Sequence, residues 1–355
     1  MPAEASGPEP LVSVLIPAYN AASTLLETLA SVCGQTYRNL DIIVVDDGST
    51  DDTPALARRL SLDDPRIRLL SQENAGVAAA RNLALWRAAG PLVAPIDADD
   101  LWRASKIERQ VRRLREAADA GVIYCWSVDI DPASRVIEQR TDQDECEGDV
   151  YAPLVLTSFV GASAPLMRRD LAMAVGGWDP SLRARKAEGC EDWQFYLRLA
   201  ARARFALEPA YLVGYRQSPG AMSRQLAAMR RSYNLVMQEV SDRKPRPPSH
   251  LLRWSRAEFG LYEADLLLEC GDRLGALGSI LLATLRAPSA FGLASYRRRL
   301  RRIFRSPASA PKGAVGGAVG RPFHEAPIER EFRIRDGTAR ARKRMQAARL
   351  KLGPG

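Results

Sequence analysis

The stretch Asp41-Ile42-Ile43-Val44-Val45-Asp46-Asp47-Gly48-Ser49 is an apolar run that stops on two acids and a turn. Rich in β-branched residues and lacking polar alternation, it reads as a strand buried on both faces. Upstream, Val12-Ser-Val-Leu-Ile16 is a second strand; downstream, Ile67 to Leu70 and Leu92 to Ile96 supply two more. Between the first two, Leu25, Leu26, Leu29, Val32 and Cys33 share one face of a helix. Thr24 with Glu27 reads as a capping box, Thr53-Pro54 as a cap with a first-turn proline, and Asn74-Ala-Gly76 precedes a third helix containing Val77, Arg81 and Trp86. This alternation predicts an α/β fold, a Rossmann-like, mostly parallel sheet flanked by helices.

Ligands of such sheets bind at the carboxyl ends of the strands. Three junctions lie there: Pro17-Ala-Tyr-Asn20, Asp46-Asp47-Gly48-Ser49 and Asp97-Ala98-Asp99-Asp100. A lone Asp-x-Asp triplet is more simply a solvated turn or a cap. Acids at neighbouring strand ends, however, repel one another unless a cation or a hydrogen-bonding ligand intervenes. A hard divalent ion shared between carboxylate and phosphate oxygens would relieve that repulsion and stabilise a departing diphosphate.

Further along, Ile107, Val111 and Leu114 mark an amphipathic helix, Val122 to Trp126 a strand, and Glu191 to Ala203 a helix opening on two acids. The acidic segment 131–150 reads as loop or irregular sheet. Leu226 to Val240 and Leu251 to Glu269 look helical on either side of Lys244-Pro-Arg-Pro-Pro248; Leu274 to Leu285 and Ala294 to Phe304 continue as short helices. The expected organisation is a flexible N-terminus (1–10), one α/β domain (11–223), a helical basic region (224–305), and a linker with a disordered basic tail (306–355).

The 355 residues are 46 % hydrophobic and 26 % charged, the composition of a soluble globular protein. No apolar stretch approaches the roughly 20 residues of a membrane span, and the N-terminus lacks a secretory pattern. Five scattered cysteines suggest a reduced, cytoplasmic compartment. His250 and His324, the two histidines, stand apart from any cysteine cluster. A structural zinc site and a Ser-His-Asp triad are thereby disfavoured, and acid–base work falls to carboxylates. Residues 225–355 hold 26 Lys/Arg against 11 Asp/Glu, whereas residues 1–224 hold 25 against 31. Arg297-Arg-Arg-Leu-Arg-Arg-Ile-Phe-Arg305 is the densest basic run. It reads as a solvated face, a nucleic-acid patch or an amphipathic contact with an anionic membrane. Interleaved apolar residues favour the membrane, and sparse aromatics count against nucleic acid.

These residues resemble a known family. Val12 to Asn20 looks like the opening strand of family 2 glycosyltransferases, which have the GT-A fold, and Ser31 to Asp51 is similar along its length. So are Asn74-Ala-Gly-Val-Ala-Ala-Ala-Arg-Asn82, Ile96-Asp-Ala-Asp-Asp-Leu-Trp102, Gly176-Gly-Trp-Asp179 and Gly189-Cys-Glu-Asp-Trp193, so that the resemblance covers about 10–223. It implies an inverting transfer of sugar from a nucleotide-diphosphate sugar, expected to be a UDP-sugar, to a glycan or lipid-linked acceptor of cell-surface polysaccharide.

By the same resemblance, Pro17, Tyr19, Asp46 and Asp47 would line the nucleotide pocket, with Asp47 on the base. Asp97 and Ala98 would meet ribose or donor sugar, Arg81 would approach the donor, and Asp99 would ligate Mn²⁺ or Mg²⁺. Asp192 would be the general base, with Trp178, Asp179 and Glu191 on the acceptor side. For Asp46 a turn cap, for Trp178 a core position, and for the Glu191-Asp192 pair simple helix capping remain alternative readings. One departure stands out: where the family commonly has a histidine after Tyr215-Arg216, this chain has Ser218. The rival functions are a nucleotide-sugar hydrolase or nucleotidyltransferase on a similar sheet, and a non-catalytic nucleotide-sugar-binding or scaffold protein. A cytoplasmic protein, peripheral on the inner face of the membrane, is the expected setting.

Overall fold

The computed structural model describes residues 9–138, 145–218, 222–244, 246–288 and 319–329. Its first half is the expected alternation: β1 (Val12–Ala18), α1 (Leu25–Cys33), β2 (Leu40–Asp46), α2 (Thr53–Asp63), β3 (Ile67–Ser71), α3 (Val77–Arg87) and β4 (Leu92–Pro95). β5 (Leu101–Trp102), α4 (Lys106–Glu116), β6 (Ala120–Ile130), β7 (Val136–Glu138), α5 (Tyr151–Leu156), β8 (Leu166–Arg168), α6 (Arg169–Ala174), α7 (Ser181–Ala184), α8 (Glu191–Ala200) and β9 (Arg204–Arg216) complete the α/β domain. Three helices follow: α9 (Leu226–Asp242), α10 (Ser249–Glu269) and α11 (Arg273–Arg286).

The sheet runs β3-β2-β1-β4-β8-β6-β9-β5, with β7 beside β6. β1, β2, β3 and β4 are mutually parallel, as are β6 and β9, whereas β8 is antiparallel to both its neighbours. The sheet is therefore mostly parallel, with an antiparallel insert. The order 3-2-1-4 reverses direction between β1 and β4, and that reversal opens a crevice at their carboxyl ends. Leu15 pairs with Pro95, so Asp97 emerges beside Pro17.

Residues of β2 alternate between two cores. Ile43 and Val45 join α3 and its neighbours on one face; Ile42 and Val44 join Leu25, Leu29 and Val32 on the other. That double burial explains why the strand is apolar throughout.

Three sequence expectations change. Thr24 and Glu27 form no capping box: the Thr24 hydroxyl donates to the Ala98 carbonyl, and Glu27 pairs with Arg216. Thr53 is the first helical residue of α2 instead of its cap, so Pro54 falls one position later. Most notably, residues 319–329, expected to be linker and tail, dock on the domain. Val136 N donates to Arg321 O, Gly320 N to Val136 O, and Tyr211 N to Ile328 O. Phe323 is buried under the Arg103 guanidinium at 4.3 Å, and Arg103 Nη2 donates to Ala326 O. The β7 backbone supplies open hydrogen-bonding groups, and an aromatic in a basic segment has a core to enter. Arg297 to Arg305, the 294–304 helix and residues 1–8 lie outside the described residues.

Candidate active site

The loops leaving β1 and β2 lock together. Asn20 takes a left-handed conformation (φ 49°), its side-chain oxygen accepts from Thr50 N, and its N–H donates to Ser49 Oγ. Pro17 is buried below them, while Tyr19 stands 51 % exposed at the mouth of the crevice. Asp46 Oδ1 accepts from Ser49 N at 3.1 Å, the turn cap anticipated for it. No described residue donates to its Oδ2.

Asp47 is committed elsewhere. Its Oδ1 accepts from Gln72 Nε2 (2.7 Å) and Ala75 N (2.8 Å), and its Oδ2 accepts from Gly76 N (2.8 Å). It is 3 % exposed. The carboxylate satisfies backbone donors leading into α3 that no helical carbonyl can reach. Where the resemblance implied a contact with a nucleotide base, the described structure has Asp47 clamping the loop 72–76, while Asp46 keeps an oxygen to offer.

The Asp97-Ala98-Asp99-Asp100 turn is held from four sides. Asp97 N donates to Ser163 Oγ, and Ala98 O accepts from both Thr24 and Thr28 hydroxyls at 2.9 Å. Thr28 also donates to Asp100 O, and Arg216 Nε donates to Asp99 O at 2.7 Å. The Asp100 carboxylate is buried and accepts from Ser163 Oγ (2.5 Å) and Arg216 N (3.0 Å). Burial, then Asp99 and Asp97, raise its pKa well above the carboxylate range. Asp100 is thus an internal latch.

Asp99 differs from it. No other described residue hydrogen-bonds its carboxylate, and burial with the Asp97 charge pushes its pKa up to about 6. An acid left without donors from its neighbours and pressed towards neutrality fits a cation. No group of three or more His, Cys, Asp or Glu among the described residues could hold that ion alone. The remaining ligands would have to be oxygens of a bound diphosphate, a set that suits Mg²⁺ or Mn²⁺. Ser218 is half-buried just past β9, whose last residue Arg216 holds the turn.

On the other flank, α3 carries Arg81 into the floor of the crevice. Its Nη2 meets Asp97 Oδ1 at 2.5 Å and its Nη1 meets Asp192 Oδ1 at 2.7 Å, with the guanidinium 2 % exposed. Burial works against its charge, but Asp192 and Asp97 outweigh it and raise its pKa. Arg81 is neither solvated nor directed at open solvent; it bridges the two carboxylates. Trp178 Nε1 donates to the same Asp192 Oδ1 at 2.8 Å, so no described donor occupies Oδ2. Burial raises the Asp192 pKa, and Arg81 draws it back down. The residue sits in the first turn of α8, where the helix dipole favours the ionised form.

The expected acceptor residues prove to be framework. Trp178 is 1 % exposed and its ring packs on Phe195 at 4.1 Å, so it presents no face to a sugar. Asn82 grips its backbone with both amide atoms. Gly177 (φ 68°) allows this approach, since a Cβ there would lie 2.3 Å from Asn82 Oδ1. Asp179 accepts from Ser181 N, Gln194 and Arg198, tying α7 to α8. Glu191 accepts from Gly189 N, its other oxygen is buried without a partner, and burial pushes its pKa up to about 7. Arg216, Ser163, Thr28 and Gln72 were given no role from sequence: Thr28 on α1 and Arg216 at the end of β9 look like ordinary polar residues of an element, and Ser163 and Gln72 lie in loops that carry no periodic signal.

Residues 13–172 match the model of glycosyl transferase family 2. A putative teichuronic acid biosynthesis glycosyltransferase, TuaG of Bacillus subtilis, is 42 % identical over 113 residues, covering 32 % of this chain and 45 % of TuaG. The Escherichia coli UDP-Glc:alpha-D-GlcNAc-diphosphoundecaprenol beta-1,3-glucosyltransferase WfgD is 45 % identical over 102 residues, 28 % of this chain and 40 % of WfgD. The matched segments thus span less than half of either relative. Two solved structures share the fold. The mannosyltransferase PcManGT of Pyrobaculum calidifontis, in complex with GDP-Man and Mn²⁺, superposes with a TM-score of 0.58 at 22 % identity over 83 % of this chain and 84 % of its own. Staphylococcus aureus TarS gives 0.57 at 20 % over 82 % and 90 %. The sheet with its flanking helices is a GT-A fold, and within it residues 13–172 match the glycosyl transferase family 2 domain.

Proposed function

We propose that this protein transfers a sugar, with inversion, from a nucleotide-diphosphate sugar to a glycan or lipid-linked acceptor in cell-surface polysaccharide synthesis. The observation that carries the reading is the Arg81 bridge: it joins Asp97, on the donor side, to Asp192, on the far side of the crevice. Asp192 Oδ2 takes the proton of the acceptor hydroxyl as that oxygen bonds to the anomeric carbon. The bond from that carbon to the diphosphate breaks, and its electron pair leaves with the nucleoside diphosphate. Arg81 and Trp178 keep the carboxylate oriented, and the Arg81 charge works against the burial that raises its pKa.

On the donor side, Tyr19, Pro17 and Asp46 line the nucleotide, and Asp97 and Ala98 flank ribose or sugar. Asp99 would hold Mn²⁺ or Mg²⁺, which neutralises charge building on the diphosphate. Mn²⁺ accompanies GDP-Man in PcManGT, which supports a divalent ion here. A UDP-sugar and a lipid-linked acceptor are supported by the activity named for WfgD, and polysaccharide synthesis by that named for TuaG. With such an acceptor, the setting is the cytoplasmic face of a membrane. A non-catalytic binding role has only Ser218, in place of a histidine, in its favour.

The test compares sugar transfer by wild type and Asp192→Asn across a panel of nucleotide sugars. Turnover should fall about 10²–10⁴-fold while nucleotide binding persists. Unchanged turnover would sink the assigned base, and absence of nucleotide binding in both proteins would sink the transferase.

A further inference from the structure

α11 is apolar on both sides. Ala276, Ile280 and Ala283 are buried against Ala257, Leu261 and Ala264 of α10, forming a small core of their own. The contact is close, for a Cβ on Gly260 would lie 3.3 Å from Ala283 Cβ. Leu274, Leu277, Leu281 and Leu285 recur at intervals of three or four on the opposite side, with Leu282 at their flank. These five are 39–83 % exposed. From Leu274 to Leu285 there is no charged residue, and arginines stand at both ends of the helix. A helix apolar all round belongs in a core or in lipid. No helix among the described residues is long and apolar enough to cross a membrane.

Charge identifies the covering partner. From Arg273 to Ala318 the sequence contains nine Lys/Arg and no Asp/Glu; Arg273 and Arg286 lie on α11, and the other seven, at 297–312, follow it in sequence outside the described residues. A second copy would bring the same positive charge against itself, and the α11 face has no acid to draw the basic run Arg297 to Arg305 onto it. An anionic phospholipid surface satisfies both features, taking the leucines into the headgroup boundary and the arginines onto its phosphates. We infer that α11 docks flat on an anionic bilayer through Leu274, Leu277, Leu281 and Leu285. The sequence pointed to the later arginine run for membrane contact; the surface on α11 is a different one. It depends on the sugar-transfer reading only for its purpose, which is to bring the crevice to an acceptor held in lipid.

The experiment is co-sedimentation of the full chain with vesicles of phosphatidylcholine alone or with about 30 % phosphatidylglycerol. Wild type should bind the anionic vesicles, and Leu281→Gln/Leu285→Gln should partition about tenfold more weakly with unchanged circular dichroism. In a Cys270→Ser/Leu281→Cys variant, which removes the exposed native thiol, the new thiol should react freely with a maleimide in solution and be protected by anionic vesicles. Equal binding by wild type and the double variant would overturn the inference. So would protection of that introduced thiol without vesicles, which would mean that the chain's own 289–305 segment or a second copy covers the face; a mass halved by the substitutions would identify the second copy. Transfer to a water-soluble acceptor reports separately. Vesicle binding lost with transfer intact sinks the docking surface alone, and binding retained without transfer in the wild type sinks the sugar-transfer reading alone.

Discussion

At the residue scale, the site is built around one cation. The Arg81 guanidinium is buried with Asp97 and Asp192 on its two amino groups, so its removal strands two carboxylates. Arg81→Met should cost about 3–5 kcal/mol, measured by urea unfolding, because breaking a buried pair leaves an uncompensated charge. Adding Asp192→Asn should recover part of that loss, and a double-mutant cycle reads the coupling directly. Glu191 gives a pH signature. Its pKa is raised by burial from the ordinary 4.5 to about 7, so the folded protein holds a proton that the unfolded chain releases. Its contribution is fully present below pH 4.5 and is lost as pH rises through 7. Glu191→Gln has no such proton to lose. The wild-type melting temperature should therefore fall relative to the variant between pH 4.5 and 7, and parallel curves would refute the raised pKa.

At the element scale, legibility followed periodicity. β1, β2 and β4 were readable because double burial writes continuous apolar strands, the edge strand β3 by its short apolar run Ile67 to Leu70, and the helices because single-faced burial writes 3.6-residue stripes. β9 went unread, although it is 13 residues long, because Arg204, Glu208, Pro209 and Gly214 interrupt it and its pairing with β6 shifts register around Trp126. The acids of the site were legible by position at strand ends. Their division of labour was not: whether an aspartate faces a ligand or its own backbone depends on which N–H groups come near, as Asp46 and Asp47 show. The 319–329 segment was the least readable element, since its anchoring is largely main-chain hydrogen bonding. Phe323→Ala should test its weight. Loss of a buried ring stacked under Arg103 should cost about 3 kcal/mol or more, read by thermal unfolding. Phe323 N also donates to Ser134 O, and Ser134 Oγ accepts from Arg216, so the turn at Asp99 and Asp100 should loosen with it. A variant with wild-type stability would show the segment to be an ornament.

At the scale of the molecule, one crevice gathers loops from four strands and the start of α8, and a ligand bridging them adds to the main-chain and side-chain bonds that already join these parts. Arg216 reaches from the end of β9 to Glu27 on α1 and to the Asp99 backbone, so three distant segments share its fate. Filling the crevice should stabilise the whole α/β domain, whereas α10 and α11, sharing a separate small core beyond it, should respond less. Binding at a hundred times its dissociation constant contributes about 2.7 kcal/mol to the folded state. UDP with Mn²⁺ should therefore raise the melting temperature by several degrees, and UDP with a chelator by less. Asp99→Asn should remove that difference and leave the metal-free shift in place, because the substitution takes away the carboxylate that no neighbouring donor satisfies. If Asp46 lines the nucleotide as proposed, Asp46→Asn should reduce the shift with and without metal alike. A full Mn²⁺ effect in Asp99→Asn would move the ion to another carboxylate, and Asp97, already half-neutralised by Arg81, would be the next to change.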